Sequence, residues 1–326
     1  MALGRTFLKR KHIESKEVGF GKADNVQQRL MNADGSYNFV RVGLPWYASF
    51  NFYHFLINIS WLRFIFVVII WYTVMNLLFT GLYFSTCSKS LTGMVYSNDF
   101  EHFMEVYFFS AQTLTTVGYG RINPTGIMAG AIASAEALVG LLSFALFTGL
   151  LYARFAKPNA NLSFSNKAVF APFGSQTGLM FRLANQLNSS LINTKAQVTL
   201  SIMEWDESGN STRKFYTPLN LERDSIIFFP SSWTIVHPID ENSPLYGMNW
   251  ADIEKGKPEL LILISGYDES FSETVFNRHS YHFIDMVWGA KFVKMLDTNA
   301  KGMSVVDLSK IDDYDKVAID ELIGKV

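Results

Sequence analysis

The residues with the most specific chemistry form one pentapeptide, Thr116-Val117-Gly118-Tyr119-Gly120. Glycines at alternate positions tolerate left-handed backbone angles, so successive carbonyls can all turn to one side. A row of such oxygens can replace the hydration shell of a dehydrated cation. The Thr116 hydroxyl would add the innermost oxygens, and Val117 and Tyr119 would turn outward and brace the backbone against the helix behind it. One chain supplies one row, whereas an ion needs a ring. Self-assembly into a closed ring, most simply a homotetramer, is therefore expected.

Several elements must position this string. Phe103 to Thr115 is too short to cross a bilayer but suits a re-entrant helix of about three turns. Its partly negative C-terminal end would aim at the ion path. Asp99, Glu101 and Glu105, against Lys89 and Arg121, make the surrounding loop net negative. On either side lie two long apolar runs. Phe64–Phe84 holds 21 residues without a formal charge, and Thr125–Ala153 holds 29 broken only by Glu136. At about 1.5 Å per residue each can span the ~30 Å hydrocarbon core. Arg5, Lys9, Arg10, Lys11, Lys16, Lys22, Arg29, Arg41 and Arg63 precede the first run, and Arg154 and Lys157 close the second. Between the runs stand only Lys89 and Arg121. The positive-inside bias predicts cytoplasmic termini, a multi-pass protein of the cell membrane and no cleaved leader.

Composition agrees. Of 326 residues, 17% are charged and 15% aromatic, with mean hydropathy +0.13. A soluble domain carries nearer a quarter charged residues. A net charge of −1 gives no reason to expect nucleic acid as a partner. Cys87 is the only cysteine, so it reads as a bystander thiol that closes neither an intrachain disulfide nor a cysteine zinc site. Glu136 inside a span is costly and by default a functional hypothesis. Its expected place is behind the pentapeptide near Gln112, with a hydrogen-bonded structural carboxyl as the alternative. Gly140 and Gly149 could permit bending of the second span.

These residues resemble the inward-rectifier potassium channels, particularly their prokaryotic branch. RLMNADGSYNFVRVG (Arg29–Gly43), the pentapeptide, ARFAKP (Ala153–Pro158), TIVHPIDENSPLYG (Thr234–Gly247) and Trp288-Gly289 carry the resemblance along nearly the whole chain. It implies passive permeation with K+ as the permeant ion, no cofactor, no enzymatic activity and four filter loops. It also implies a constriction at Tyr152, where the alternative is an interfacial aromatic. After Pro45, Trp46, Phe50, Tyr53 and Ile57 recur at helical spacing, similar to the family's slide helix at the membrane interface. Strong rectifiers carry an Asp where this chain has Phe144. Phe215 and Ser265 stand at two acidic-ring positions, leaving Glu222 and Asp224 as cytoplasmic pore candidates. Weak polyamine rectification is expected. Arg154 and Lys157 match basic positions that bind phosphoinositide headgroups in animal members, while Asn159 and Ala160 replace later ones. Two cations suit generic anionic lipid, although phosphoinositide could bind. The paired outer cysteines of animal members are absent.

The expected fold class is a membrane α-helical two-span pore module (outer helix, pore helix, selectivity filter, inner helix) plus a cytoplasmic all-β immunoglobulin-like sandwich. Its segments are a cytoplasmic lead (1–44), slide helix (45–59), outer helix (60–84), outer loop with pore helix and filter (85–124), inner helix (125–157) and cytoplasmic domain (158–326). In that domain Ala196, Val198, Leu200 and Ile202 alternate with Gln197, Thr199, Ser201 and Met203, the pattern of a strand with one buried face. SIIFF (Ser225–Phe229), WTIVH (Trp233–His237) and ELLILIS (Glu259–Ser265) read as further strands. The segment after Pro158 holds 15 Lys+Arg against 21 Asp+Glu, a mildly acidic collar. His279 and His282 lie three apart in a strand-like run, on opposite faces, which disfavours a metal site. Gly19-Phe20-Gly21 lacks the context of a dinucleotide motif. Two other functions remain open at this point, a subunit of a potassium uptake transporter and a two-span receptor with a ligand-binding cytoplasmic domain.

Overall fold

The computed structural model describes residues 29–40, 42–43, 45, 51–86, 88–157, 162–186, 191–205, 211–229 and 231–319. Trp46, Phe50, Cys87, Asn159, Ala160 and the side chain of Phe215 lie outside what it describes. The chain forms two compact units, Val42–Lys157 and Met1–Arg41 with Pro158–Val326.

The described residues of the first unit form four α-helices, α1 (Phe52–Asn58), α2 (Trp61–Thr86), α3 (Asp99–Leu114) and α4 (Ile127–Phe155). Asn51 caps α1 by accepting from the His54 amide, and Asn98 caps α3 by accepting from the Glu101 amide. Asp99 and Glu101 in the first turn of α3 favour its positive end. Because of that cap, α3 starts four residues before the expected Phe103 and runs 16 residues. The 26 residues of α2 and 29 of α4 reach about 39 and 44 Å, enough to cross the membrane. In α2 only Phe64, Asn76, Phe79, Thr80 and Tyr83 are buried, so most of its apolar surface is left for lipid or other subunits. A short antiparallel ladder of β1 (Leu91–Thr92) and β2 (Asn123–Pro124) closes the loop between α2 and α4. Phe79, Tyr83, Val106, Phe109, Ile122 and Ala129 pack the core beneath it.

The second unit is a sandwich of two five-stranded sheets. In one, β11 (Glu273–His282), β10 (Glu259–Asp268), β6 (Leu191–Trp205) and β7 (Ser211–Pro218) lie in that order, and β8 (Ser225–Phe229) also pairs β6. In the other, β12 (Met286–Trp288), β4 (Ala168–Phe173), β5 (Gln176–Asn185) and β3 (Leu162–Phe164) lie in order, with β9 (Ser232–Pro238) on β5. Phe170, Leu179, Phe181, Leu200, Ile235, Ile262, Ile264 and Tyr281 fill the space between. The small helix α5 (Trp250–Gly256) starts at a capping box of Asn249 and Asp252.

The expected alternation holds through Leu200 and then breaks, because Ser201 and Met203 are buried while Ile202 is only partly so. An arm formed by residues 29–38 helps explain the break at Ser201. Leu30 and Met31 pack with Tyr216 and Leu261, covering the outer sheet face. The Leu30 and Met31 amides donate to the buried Glu259 carboxylate at 3.0–3.1 Å, and Glu259 pairs with Ser201 in the ladder. Arg29 donates to Met31 O at 2.8 Å and Ser280 Oγ at 3.0 Å, and its guanidinium lies 3.3 Å from Asp285. Gly35, at φ +78°, sits so close to Arg278 that a Cβ would meet its carbonyl oxygen at 2.4 Å. The resemblance marked this arm as a motif, but only the fold supplies Glu259 as its anchor.

Two histidines of this unit are held neutral. His237 is buried with its ring between Asn220 O (2.6 Å) and Ser243 Oγ (2.8 Å), and burial lowers its pKa. His279 stacks on Phe164 at 4.4 Å. Burial pushes it from 6.5 down to about 4, helped by Arg29 and opposed by an Ala33 backbone hydrogen bond and by Asp285. Between those values the unfolded chain binds the proton that the folded chain refuses. Stability present above pH 6.5 should therefore drain away as pH falls toward 4. Thermal unfolding of the full chain in detergent checks this, with His279→Phe, which keeps the stack, flattening the slope. Equal slopes in both proteins would count against His279 as a cause.

Candidate ion-conduction site

The end of α3 carries the pentapeptide. The Thr116 amide donates to Thr113 O at 3.0 Å, while those of Val117 and Gly118 converge on Gln112 O at 2.9 and 3.3 Å. Beyond this hold the backbone alternates. Thr116, Gly118 and Gly120 have φ of +60°, +53° and +80°. Alternate left-handed residues are the backbone condition for turning successive carbonyls to one side. Glycine tolerance foretold two of these positions. Thr116 was missed in this respect, and as a β-branched residue at positive φ it stores strain at the site. The only signal for it was the period-two pattern continued one step back.

Expected bracing by Val117 and Tyr119 does not occur within one chain, where their side chains are 55% and 79% exposed. After the pentapeptide, Asn123 Nδ2 donates to Gly120 O at 2.8 Å, and Arg121 pairs with Glu105 at 2.5 Å. That pair removes one carboxylate from the net-negative loop, leaving Asp99 and Glu101 against Lys89.

Glu136 is fully buried, but not against the Gln112 side chain. The Tyr83 hydroxyl donates to it at 2.7 Å and the Ser110 hydroxyl at 2.5 Å. Two residues apart on a helix, Ser110 and Gln112 point about 200° apart, so one cannot stand in for the other. Gln112 instead serves the filter through its carbonyl. Tyr83 gave no signal in the sequence, since a tyrosine near a span end ordinarily reads as an interfacial anchor. Tyr83→Phe should lower the thermal midpoint of the assembled protein by a cost of about 1–3 kcal/mol, because half the carboxyl's hydroxyl partners disappear. An unchanged midpoint would show that the bond carries no stability.

The glycines of α4 differ in role. The helix is continuous through both. A Cβ on Gly140 would meet Leu114 O at 1.9 Å, so this glycine permits close packing on the end of α3. Gly149 has nothing within 4 Å of such an atom. Phe144 and Tyr152, at 72% and 75% exposure, are uncovered within one chain.

At the far end of α4, the two lipid-headgroup candidates are already engaged by protein. Arg154 donates to Leu56 O (2.5 Å), Ile57 O (3.1 Å) and Ile59 O (2.7 Å), and Lys157 donates to Asn58 Oδ1 at 2.5 Å. In the sandwich, Glu222 lies 3.9 Å from Arg223, and the exposed Asp224 accepts from Ser225 Oγ at 2.9 Å. His279 and His282 lie on one strand but share no site: the His279 ring faces Phe164 and Tyr281, and the His282 ring faces Phe283.

Two apolar spans, a re-entrant helix ending in an alternating-φ filter and a following β-sandwich define a membrane ion channel of the two-span type. Residues 46–157 match the ion channel family model, and residues 162–323 match the inward rectifier potassium channel C-terminal domain. Inward rectifier potassium channel Kirbac3.1 of Paramagnetospirillum magnetotacticum is 35% identical over 285 residues, covering 86% of this chain and 94% of that protein. G protein-activated inward rectifier potassium channel 4 of Mus musculus is 28% identical over 238 residues, covering 70% and 54%. Inward rectifier potassium channel 18 of Homo sapiens is 30% identical over 210 residues, covering 60% and 47%. This chain therefore spans about half the length of those animal relatives. An alkylpurine DNA glycosylase structure from Pseudomonas fluorescens aligns with a TM-score of 0.21, too low to carry an argument. The chain belongs to the inward rectifier potassium channel family, on its prokaryotic side, and its function is that of a potassium channel. The transporter and receptor alternatives give way to that membership.

Proposed function

We propose that four copies of this chain close a ring around one ion path and pass K+ passively down its gradient. The observation that carries this reading is the alternation of φ at Thr116, Gly118 and Gly120 in a loop whose Val117 and Tyr119 lack cover in the single chain. A neighbouring copy supplies that cover, and four rows of carbonyls replace the ion's water. K+ is the permeant ion and no cofactor takes part. Both termini lie in the cytoplasm. Tyr152 forms the constriction near the cytoplasmic end of α4, where four rings exclude water when they approach. Glu222 and Asp224 attract cations on the cytoplasmic side. Phe144 carries no charge for a polycation, so rectification by spermine is weak. Gating responds to anionic lipid at the basic membrane-proximal segments, with phosphoinositide headgroups among the candidate ligands.

Rubidium uptake into liposomes containing the purified protein tests the reading. Uptake should be blocked by external K+ and Ba2+ and be indifferent to Na+. Block by Na+ equal to that by K+ would overturn the account of the filter, and elution of the protein at monomer mass would overturn the ring.

A further inference from the structure

The cytoplasmic end of α4 holds an arrangement that neither conduction nor lipid attraction uses. Helix α1 has seven residues and no basic residue in its own last turn. Its final carbonyls lack intrahelical partners and carry the negative end of the helix dipole. Arg154, from the last turn of α4, supplies the missing charge. One guanidinium nitrogen donates to Leu56 O and Ile57 O and the other to Ile59 O. The same guanidinium lies 4.7 Å from the centroids of both the Trp61 and Phe64 rings. Its Nε is buried without a hydrogen-bond partner. Around it, Leu56, Phe64 and Leu150 form an apolar cluster, Phe155 packs on Trp61 at 4.9 Å, and Lys157 holds Asn58.

We propose that Arg154 is a positioning residue for gating: it clasps the end of the slide helix α1 and the start of α2 to the cytoplasmic end of α4. The proposal rests on the placement of the gate at Tyr152, two residues away. Three carbonyls and two rings occupy the guanidinium, so a phosphate oxygen would have to displace bonds inside the protein to reach it. The fork matters as much as the charge. A lysine ammonium is a point donor on a flexible stem and cannot hold three carbonyls while lying flat between two rings. Through this clasp a displacement of α1 in the interface is passed to the helix that carries the constriction.

The test uses the full-length channel in liposomes, with rubidium flux measured as the phosphatidylglycerol fraction in phosphatidylcholine rises. For the clasp, Arg154→Ala and Arg154→Lys both lower the maximal flux at least about tenfold while leaving the half-saturating lipid fraction in place. For a headgroup ligand, Arg154→Ala moves the half-saturating fraction upward and Arg154→Lys restores it, which would overturn the proposal. A second measurement is independent of flux. In a Cys87→Ser background, an Asn58→Cys, Lys157→Cys pair should be joined by a short bismaleimide, because Lys157 Nζ reaches Asn58 Oδ1, and adding Arg154→Lys should sharply reduce the yield of that cross-link. Undiminished cross-linking would overturn the clasp even if flux fell. Failure of the gate itself reads differently: Tyr152→Ala would then leave the lipid response of flux unchanged, while Arg154→Lys would still weaken the cross-link.

Discussion

Gly118→Ala channels should assemble normally and conduct no measurable potassium. Gly118 has φ +53°, and a Cβ there has nothing within 4 Å to strike. The penalty is therefore conformational. A left-handed non-glycine residue costs about 1 kcal/mol or more per copy, or roughly 4 kcal/mol around a fourfold ring. The backbone relieves this by rotating the peptide, which turns a carbonyl away from the path. An ion arriving there loses its water without replacement oxygens. Each ~1.4 kcal/mol added to the barrier costs tenfold in rate, so flux should fall by at least about 100-fold. Rubidium uptake and size-exclusion elution are measured on the same preparation. Near-normal uptake by an assembled Gly118→Ala protein would refute the role given to the alternating backbone.

Gly140→Ala should do comparable damage by a different route. Its new methyl would lie 1.9 Å from Leu114 O and 2.8 Å from Leu114 C, both backbone atoms with no rotamer to yield. Relief requires α4 to withdraw from the end of α3. The turn it would disturb is the one in which Gln112 O holds the amides of Val117 and Gly118. Overpacking of this kind costs about 1–3 kcal/mol or more per copy, and here it falls on the filter's footing. The expected result is a lower thermal midpoint together with loss of K+ selectivity over Na+. Gly149→Ala is the contrast, because alanine favours a helix interior by about 1 kcal/mol and the added atom meets open space within the chain. A hinge at Gly140 would instead tolerate alanine with modest changes in gating. The midpoints and ion competition of the two variants separate hinge from packing.

Much of this protein was legible in the sequence where a constraint is local. Hydrocarbon thickness sets the length of α2 and α4, and uncharged runs of that length stand out in any chain. Carbonyl rows need residues tolerant of left-handed angles, so Gly118 and Gly120 declared themselves. Strands with one wet face alternate, as the run from Ala196 to Leu200 does. The same reasoning faltered at Ser201, where the arm covers the second face.

Partners were a different matter. Glu136 was visible as a costly carboxyl, but its donor Tyr83 lies 53 residues away on another helix. The flexibility of Gly140 is a property of the residue and was legible, whereas its close approach to Leu114 is a property of two helices. Arg154 was read as a lipid-headgroup candidate because it matches a basic position of the family's animal members, and that resemblance gave no sign of its protein partners. The carbonyls that occupy it belong to a segment about 97 residues earlier. Sequence by itself determined which chemical groups were present and the local geometry they demanded. Only the tertiary structure decided which group met which, because a helix face or strand edge acquires its partner through packing across distances that spacing along the chain does not encode.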